Sequence, residues 1–378
     1  MGRPRTRDPG PEILADAGGH FLSAAGILCG ILWSIHILSS NIEDSASVGL
    51  LDLSGMVTVK PVYDDISVGS DPESIVACRD GKCGYIDRTG HHVIEPKFED
   101  ARPFDKSGWA PARQGGKWGY IDRTGNFIIP PAHDAVGAFK NTKLAPVKVN
   151  QKWGYIDTTG RLVIEPSYAE AGIFGSTGLA AVKVGAKWGY ISQDGALVLE
   201  PTYEYARPFN DSGLAIVSTK KKRGYIDATG KFVIEPTYGS AADFDSKGMA
   251  FVSVNGKYGY IDHTGQFVIK PQFDDVRSFG DSDLAAVKMN DKWGFIDRTG
   301  TFLIDPKYGW IKLGVSAGDR WLAVAWDRFG EVGVIDRTGQ YVIQPKYSDI
   351  NIKVGENGAI LIVFSVPKTC LFEKICLP

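Results

Sequence analysis

One short motif returns along this chain at a nearly constant interval. It consists of an aromatic residue, Gly, a second aromatic residue, Ile and Asp, and it is clearest at Trp153–Asp157. Successive copies lie 35 residues apart six times in a row and then 39 residues apart. The copies begin at Cys83, Trp118, Trp153, Trp188, Arg223, Tyr258, Trp293 and Val332. A period of roughly 20 to 50 residues is typical of solenoids and propellers, in which each repeat packs on its neighbours.

Each unit contains three extended segments joined by tight turns. In the unit around Trp153, strand A is Leu144–Val149, strand B is Trp153–Asp157 and strand C is Leu162–Glu165. Asn150-Gln151 forms a two-residue turn between A and B, a length typical of β-hairpins. The connection after strand C has room for a fourth short strand. The pattern predicts an all-β fold built from short antiparallel strands.

The two-residue hairpin also sets which side chains share a face. It places Lys148 opposite Trp153 and Ala145 opposite Ile156. One face of the sheet then carries cations and aromatic rings, and the other carries small apolar residues such as Ala145 and Gly154, which allow close approach of another sheet. The predicted cation–indole pairs are Arg113 with Trp118, Lys148 with Trp153, Lys183 with Trp188, and Lys288 with Trp293. Both faces are therefore expected to be covered, as in sheets stacked side by side.

The other recurring polar residues favour structural roles. Asp-x-Thr-Gly follows strand B in seven units, for example at Asp157–Gly160, and there Asp caps turn amides while Gly takes a positive φ. A Pro such as Pro166 ends strand C, because it lacks an N–H for the ladder. The aromatic residue two positions later, for example Tyr168, is predicted to be core. His91 and His92 have no partner at metal-ligand spacing. We identify no catalytic residue, no metal ligand and no cofactor site.

The two ends of the repeat array carry complementary half-units. Leu51 and the segment Met56–Pro61 correspond to strands B and C without a strand A, and Ala359–Phe364 is a lone strand A. If the last strand completes the first sheet, the repeats close a propeller-like ring of nine sheets. The alternative is an open β superhelix with half-units as caps. The β domain is expected to span residues 50–364, followed by a tail at 365–378.

The N-terminal region carries an apolar stretch, Phe21–Leu38, with arginines before it and acidic residues after it. The positive-inside rule places the N-terminus in the cytoplasm and the repeats outside. We expect a cytoplasmic tail at 1–18, a transmembrane helix or signal anchor at 19–40 and a linker at 41–49. The length is also compatible with a cleaved signal peptide, which would make the protein secreted, or with a buried helix.

The cysteines are consistent with an oxidising compartment. Cys78 and Cys83 occupy the opposed Lys and Trp positions of their hairpin, where Cα atoms lie about 4.5 Å apart, a distance that admits a disulfide. Cys370 and Cys376 form a second candidate pair. Two such pairs suit a location outside the cytoplasm. The alternative is four free thiols in a cytosolic protein.

The unit Gly-Lys-Trp-Gly-Tyr-Ile-Asp-x-Thr-Gly resembles the WG, or KWG, repeats of many bacterial proteins. The resemblance covers about residues 50–364 and departs at the signature Trp in Cys83, Arg223, Tyr258 and Val332. It implies an all-β repeat protein, often exported, that mediates interactions, and it transfers no catalytic residue.

Three functions are compared on this basis. A membrane-anchored, extracytoplasmic protein-interaction module is favoured, because repeats build extended binding surfaces. A glycan- or peptidoglycan-binding protein would stack sugars on exposed aromatic rings, and an enzyme would need a site built from repeat loops. A net charge of −2 gives no indication of a nucleic-acid partner. The candidate binding residues are Trp118, Trp153, Trp188 and Trp293 in the repeats, and Trp310, Trp321 and Trp326 in the eighth unit, which is either an aromatic contact patch or a worn terminal repeat.

Overall fold

The structure is a computed structural model that describes residues 47–69, 71, 73–139, 142–280, 282–312, 314–317, 320–327, 329–354 and 360–366. Within these residues the chain forms β-strands only, arranged in nine antiparallel sheets. The sheets succeed one another around a ring, and we call them blades 1 to 9. The structure is thus a nine-bladed β-propeller, which confirms the predicted all-β fold and the closed ring, one of the two arrangements that the sequence left open.

The chain begins inside the last blade and then builds the others in order. Blade 9 starts with β1 (Ser47–Leu51) and β2 (Val57–Tyr63). Blade 1 contains β3 (Asp65–Ser67), β4 (Ile75–Arg79), β5 (Lys82–Ile86) and β6 (His92–Phe98). Blade 2 contains β7 (Asp100–Ala101), β8 (Ala110–Gln114), β9 (Lys117–Ile121) and β10 (Phe127–His133). Blade 3 contains β11 (Ala135–Val136), β12 (Leu144–Val149), β13 (Lys152–Asp157) and β14 (Leu162–Tyr168).

The next four blades repeat this order. Blade 4 contains β15 (Glu170–Phe174), β16 (Ala180–Val184), β17 (Lys187–Ile191) and β18 (Leu197–Tyr203). Blade 5 contains β19 (Tyr205–Ala206), β20 (Ala215–Thr219), β21 (Lys222–Ile226) and β22 (Phe232–Tyr238). Blade 6 contains β23 (Ser240–Ala241), β24 (Ala250–Val254), β25 (Lys257–Ile261) and β26 (Phe267–Phe273). Blade 7 contains β27 (Asp275–Val276), β28 (Ala285–Met289), β29 (Lys292–Ile296) and β30 (Phe302–Tyr308).

The last two blades depart from this pattern. Blade 8 has five strands: β31 (Trp310–Ile311), β32 (Val315–Ala317), β33 (Arg320–Trp326), β34 (Val332–Asp336) and β35 (Tyr341–Tyr347). Blade 9 ends with β36 (Asp349–Val354) and β37 (Ile360–Val366). Its strand order is β2-β1-β37-β36, so two N-terminal and two C-terminal strands share one sheet. Ser47 pairs with Val366 at the start of the β1–β37 ladder, which closes the ring as the half-units predict.

The hairpin between strands A and B has the predicted register. Lys148 pairs with Trp153 and Ala145 pairs with Ile156. The two turn residues Asn150 and Gln151 have φ angles of 49° and 64°. This left-handed pair is the type I′ geometry that matches the twist of the flanking strands. The short strand before strand A, such as β11, is the fourth strand for which the sequence leaves room.

The core of the molecule lies between blades rather than within them. Nine clusters of buried apolar side chains occur, one at each of the nine junctions of neighbouring blades. At the junction of blades 2 and 3, Trp118 and Tyr120 pack against Val136, Ala145 and Val147. The aromatic face of one blade thus meets the small apolar face of the next. This arrangement confirms that both faces of each sheet are covered.

The Gly of each Trp-Gly pair has a different role from the predicted one. A Cβ atom at Gly154 would lie 2.4 Å from the carbonyl oxygen of Ile164, in strand C of the same blade. The reason is a bulge: Trp153 pairs with Tyr168 and Tyr155 with Ile164, so strand C carries two extra residues opposite Gly154. The prediction that this Gly admits the neighbouring sheet is therefore wrong, because its close contact is within its own sheet.

The bulge also corrects the prediction for Pro166. Strand β14 continues through this residue to Tyr168, so Pro166 lies within strand C and does not end it. A residue without an N–H is tolerated there because bulges interrupt the ladder and strand C is the outer edge of the blade. The aromatic position that follows is core in most blades, and His133 takes its place in blade 2 as a buried residue.

The predicted tail, membrane helix and linker at the N-terminus lie outside the described residues, apart from the last residues of the linker. Ser47 to Gly49, placed in the linker by the sequence, belong to β1. Among the described residues, no helix is long and apolar enough to cross a membrane.

Candidate interaction surface on the hairpin rim

The propeller has two rims with different kinds of loop. The hairpin rim carries the A–B hairpins and the links from strand C to the next blade, because successive strands are antiparallel. The turn rim carries the Asp-x-Thr-Gly turns. There the Oδ1 atom of Asp157 accepts hydrogen bonds from the amides of Thr159 (2.9 Å) and Arg161 (3.1 Å) and from the Thr159 hydroxyl (2.6 Å). The Thr159 hydroxyl makes the largest contribution to lowering the pKa of Asp157. These aspartates are turn caps, as predicted.

Most of the predicted binding tryptophans are parts of the blade junctions. Trp293 is 0% exposed, and Trp118, Trp153 and Trp321 are also buried. Trp188 and Trp326 are partly buried against the same clusters. A ring enclosed by protein cannot stack on a ligand. These residues therefore hold neighbouring blades together, and Trp310 is the predicted site residue whose ring is exposed.

The cation over each repeat tryptophan comes from one of two strands. Lys148 lies 6.0 Å from the Trp153 ring and Lys183 lies 5.8 Å from the Trp188 ring, as predicted. Over Trp118 the cation is instead Arg102, at 4.6 Å. Residue 102 follows the innermost strand, and the equivalent positions in blades 3 and 4 are Gly137 and Gly172. The strand-A lysine thus covers the indole where the inner strand supplies Gly.

The predictions for Arg113 and Lys288 are corrected by this rule. Arg113 approaches Glu99 (3.8 Å) and Lys288 donates to Asp291 (2.9 Å), while Arg277 covers Trp293 at 4.6 Å. Where an arginine follows the inner strand, its guanidinium group lies over the indole ring. The strand-A cation then contacts an acidic residue instead. Residue spacing within the A–B hairpin could not predict which cation covers the ring, because the competing arginine comes from a separate element, beside the inner strand.

Trp310 is the exposed member of an aromatic pair at the junction of blades 7 and 8. Its ring lies 5.6 Å from that of Trp293 in an edge arrangement, and 42% of the residue is exposed. The Arg277 guanidinium lies over both rings, at 4.6 and 5.3 Å. Arg277 is itself held by the Asp275 carboxylate at 3.1 Å and by the Val276 carbonyl at 3.0 Å. Trp310 is therefore an exposed aromatic side chain in a fixed position.

The additional residues of the eighth unit lie close to Trp310. Trp310 pairs with Trp326, 16 positions later, whereas Ala135 pairs with Lys148, 13 positions later. The hairpin after Trp326 is also longer, and its tip carries Phe329, which is 75% exposed. Sequence reasoning identified Trp310 but missed Phe329. The 39-residue interval was the signal for a longer tip.

The other blade 8 tryptophans support this surface from below. The Trp321 indole N–H donates to the Ser282 hydroxyl of blade 7 at 2.9 Å, and its ring meets Phe295 edge-on at 4.7 Å. Lys312 lies 5.5 Å from the Trp326 ring and also binds Asp349 of blade 9. These contacts fasten blade 8 to both neighbours, so the strand that carries Trp310 and the hairpin that carries Phe329 belong to a blade held from both sides.

Cys78 and Cys83 form a disulfide across the hairpin of blade 1, with Cα atoms 4.0 Å apart. They occupy the paired positions that the register predicts. Cys370 and Cys376 lie outside the described residues. In the part of the chain that the structure describes, no group of three or more His, Cys, Asp or Glu side chains could hold a metal ion. The surface offers aromatic and charged contacts for binding.

The sequence matches a family model that describes the WG containing repeat. The matched segments are 84–118, 118–153, 153–188, 188–222, 224–258, 258–293, 293–313 and 333–352. Together they cover more than half of the chain, and each of the first six runs from strand B of one blade to strand B of the next. A search of curated proteins found no match.

One solved structure shares the fold at low sequence identity, and others superpose with lower scores. A crystal structure of the eukaryotic initiation factor superposes with a TM-score of 0.59 at 10% identity, covering 85% of this chain and 99% of that chain. Sqt1 from Saccharomyces cerevisiae gives a TM-score of 0.38 at 11% identity, covering 86% of this chain and 97% of its own. Hsv2p from Kluyveromyces lactis gives 0.38 at 9% identity, with 70% and 96% covered. The likeness to the initiation factor extends to the fold alone.

Proposed function

Because this chain belongs to the family of proteins with the WG containing repeat, we propose that it is a non-catalytic scaffold that binds protein partners through its hairpin rim. The family residues build the ring: the signature tryptophans fill blade junctions, and the recurring aspartates cap turns. What differs from blade to blade is the set of side chains at the rims. Variable side chains on a rigid frame are the usual basis of specific binding by repeat proteins.

The observation that carries the proposal is the exposed, fixed ring of Trp310. Tryptophan is among the residues that most often anchor protein interfaces, and a side chain held in place before binding loses little conformational entropy. Arg277 and Trp293 hold this ring from one side. Phe329, on the hairpin of the same blade, adds a second exposed aromatic residue. We propose that blade 8 is the primary contact for a protein partner.

A glycan ligand is the second candidate, but four of the seven tryptophans proposed to bind a ligand are buried. Sugar stacking needs an exposed ring face, and burial removes Trp118, Trp153, Trp293 and Trp321 from such a role. Trp310 alone does not form the row of platforms that a repeated glycan would use. We therefore propose a protein partner.

We further propose that the ring is membrane-anchored through residues 19–40 and lies outside the cytoplasm, in the periplasm or on the cell surface. The charge asymmetry around Phe21–Leu38 and the disulfide between Cys78 and Cys83 support this location. Labelling of lysines in spheroplasts by a membrane-impermeant reagent tests it. Labelling before lysis is expected, and labelling only after lysis would contradict the proposed topology.

The contact surface is tested by photo-crosslinking in native envelopes. A benzophenone amino acid is placed at Phe329 or, as a matched control, at Val268, which is 48% exposed on the outer strand of blade 6. We expect discrete protein adducts from position 329, weakened by Trp310→Ala, and none from position 268. Equal adducts at both positions, or none from the hairpin rim, would contradict the proposal.

A further inference from the structure

The A–B hairpin of blade 5 has an unusual tip. Its two turn residues are Lys220 and Lys221, with φ angles of 49° and 59°. The other two-residue tips place Gly, Asn, Asp, Gln or Ala at these positions, for example Asn255-Gly256. A left-handed backbone is unfavourable for a long side chain and favourable for Gly or Asn. Local folding therefore does not account for two lysines at this tip, and such strain often marks a functional position.

The charges at this tip are concentrated and lack local partners. Lys220, Lys221 and Lys222 are exposed, and Arg223 follows them in place of the signature Trp. Within the described residues, none of the three ammonium groups has a hydrogen-bond or ion-pair partner. In blades 2 and 6 the lysine equivalent to Lys222 does have one. There Lys117 pairs with Asp134, and Lys257 pairs with Asp274 at 2.5 Å.

The difference lies in the link to the following blade. The acid that pairs with Lys117 or Lys257 lies 17 positions further along the chain, and after Lys222 that position is Gly239. The carboxylate beside the blade 5 tip belongs to Glu204, whose Oε2 atom accepts the amide of Lys221 at 2.8 Å. Lys187 of blade 4 lies close enough to lower the pKa of Glu204, after the larger effect of the Lys221 amide. Glu204 therefore accepts a backbone amide of the blade 5 tip and lies near the Lys187 ammonium group of blade 4.

An aromatic residue lies beside these cations. The Arg223 guanidinium lies 5.4 Å from the ring of Tyr205, which is 36% exposed, and donates to the Ser240 hydroxyl at 3.3 Å. Arg223 is therefore held in position next to the three exposed lysine side chains. We call Lys187, Lys220, Lys221, Lys222 and Arg223, together with Tyr205, the basic tip.

From these observations we infer that the basic tip binds a short acidic segment of a protein partner, through its Asp and Glu carboxylates. This inference rests on the proposed function and adds a second, charge-specific contact to the same hairpin rim that carries Trp310 and Phe329. Arginine and lysine side chains bind carboxylates by charge-assisted hydrogen bonds, and clustered cations speed the encounter with an acidic partner.

The rest of the rim indicates a short segment of protein rather than a membrane. The hairpin of blade 8 carries the half-exposed Asp327 and the exposed Glu331, whereas Asp291 and Asp349 of the neighbouring blades are paired with lysines. A flat anionic membrane laid on this rim would meet these like charges, and so would a long polyanion that followed the ring. A segment of a few acidic residues contacts the basic tip and avoids them.

Fluorescence titration of the full-length protein with a labelled octaglutamate peptide tests the inference at low and moderate salt. The variant Lys220→Asn/Lys221→Gly removes two charges and installs the preferred turn residues. We expect peptide binding to weaken about fivefold in this variant, as for the loss of two exposed charge contacts, while the melting temperature rises because the turn is relaxed. Binding to the unaltered protein should fall as salt increases.

The matched control is Lys117→Gln/Lys257→Gln, which removes the same charge from lysines of the same rim that already have partners. Binding in this control should change less than twofold. Equal weakening in both variants, no peptide binding, or binding only to vesicles of anionic lipid would each overturn the inference. If crosslinked partners still depend on Trp310 in those cases, the proposed function stands and only the basic tip is misassigned.

Discussion

At the scale of single residues, Trp293 and Trp310 show how one type of side chain serves two purposes. Both rings face the same guanidinium of Arg277, yet Trp293 is enclosed by two blades while Trp310 lies at the surface. The difference arises from position in the blade. Trp293 is in the second-outermost strand, between neighbouring sheets, and Trp310 is in the innermost strand at the edge of its sheet.

The buried repeat tryptophans should be costly to truncate. Trp153→Ala removes a large ring from the junction of blades 3 and 4, where it packs among residues such as Tyr155, Phe174 and Val182. We expect a loss of roughly 3–5 kcal/mol in the free energy of unfolding, measured by chemical denaturation. Trp310→Ala is the matched control and should cost about 1 kcal/mol, because much of that ring is already exposed. A similar small loss for Trp153→Ala would mean that its ring is not part of the core.

Sequence patterns identified the right residues more reliably than the right partners. The Lys148–Trp153 and Lys183–Trp188 contacts are confirmed, because both members belong to one hairpin. The Tyr of the motif was noted without a role. Its hydroxyl donates across the blade junction in six units, as from Tyr190 to the Arg207 carbonyl at 2.8 Å. Its signal was the unbroken series of tyrosines from Tyr85 to Tyr260, but the acceptor lies in another blade and follows from the ring alone.

At the scale of elements, strand C is the part of the blade that departs most from a regular ladder. Its outer edge is unpaired within the described residues, and its bulge brings the backbone around Pro166 against Gly154. An exposed edge strand is a site for unwanted pairing with other chains. The proline and the bulge interrupt that edge in every blade that carries the motif, which limits such pairing.

The bulge explains the invariant Gly of the motif and predicts the effect of replacing it. Gly154→Ala would place a Cβ atom 2.4 Å from the Ile164 carbonyl oxygen and 2.7 Å from the Pro166 nitrogen. Neither backbone atom can move without breaking the pairing of strands B and C. We expect a loss of more than about 3 kcal/mol in the free energy of unfolding.

Gly309→Ala is the matched control, because the nearest atom to its Cβ would be the Asp327 oxygen at an ordinary 3.6 Å. Thermal or denaturant unfolding should show a change within about 0.5 kcal/mol for this variant. Equal losses for the two variants would show that the close approach at Gly154 does not constrain the fold.

Most of the strands could be predicted from the sequence, and the errors are confined to the end of strand C and to one strand of blade 8. Strand positions, the two-residue turns and the A–B register follow from periodicity and turn chemistry. The continuation of strand C past Pro166 did not follow, because a proline ordinarily ends a ladder and the bulge that accommodates it depends on the neighbouring strand. The fifth strand of blade 8, β32, lies in a stretch that departs from the repeat and so has no template.

At the scale of the whole molecule, ring closure is the feature that joins all nine junctions into one structure. The half-units at the ends of the array predicted it, although the sequence alone left an open superhelix as the alternative. Blade 9 settles the point because β1 pairs with β37 and clusters of buried residues join it to blade 8 and to blade 1. Each blade is then covered on both faces.

The same closure predicts that the order of the blades along the chain can be changed. Ser47 and Val366 are paired at the hairpin rim, in the place where other blades have an A–B hairpin. A permuted protein that joins these residues through Asn-Gly and begins at Gly116 should fold with nine blades. We expect an unchanged circular dichroism spectrum and a single unfolding transition.

The junction clusters, rather than the chain order, supply most of the stability of this permuted protein. A second cut inside a strand, between Val217 and Ser218, is the control and should prevent cooperative folding because it divides an inner ladder. Loss of the fold in the hairpin permutant as well would show that the native chain order is required.

The placement of β1 also has a mechanical consequence. Its first residue, Ser47, lies at the hairpin rim, and the strand runs from there with β2 on one side and β37 on the other. Tension on the polypeptide ahead of Ser47, applied while a bound partner restrains the ring, acts along the strand axis. The load is then shared by two hydrogen-bond ladders in shear instead of unzipping one bond at a time. If the ring is anchored through the residues before Ser47 as proposed, blade 9 carries this load, and its rupture force sets how hard the chain can be pulled before the propeller opens.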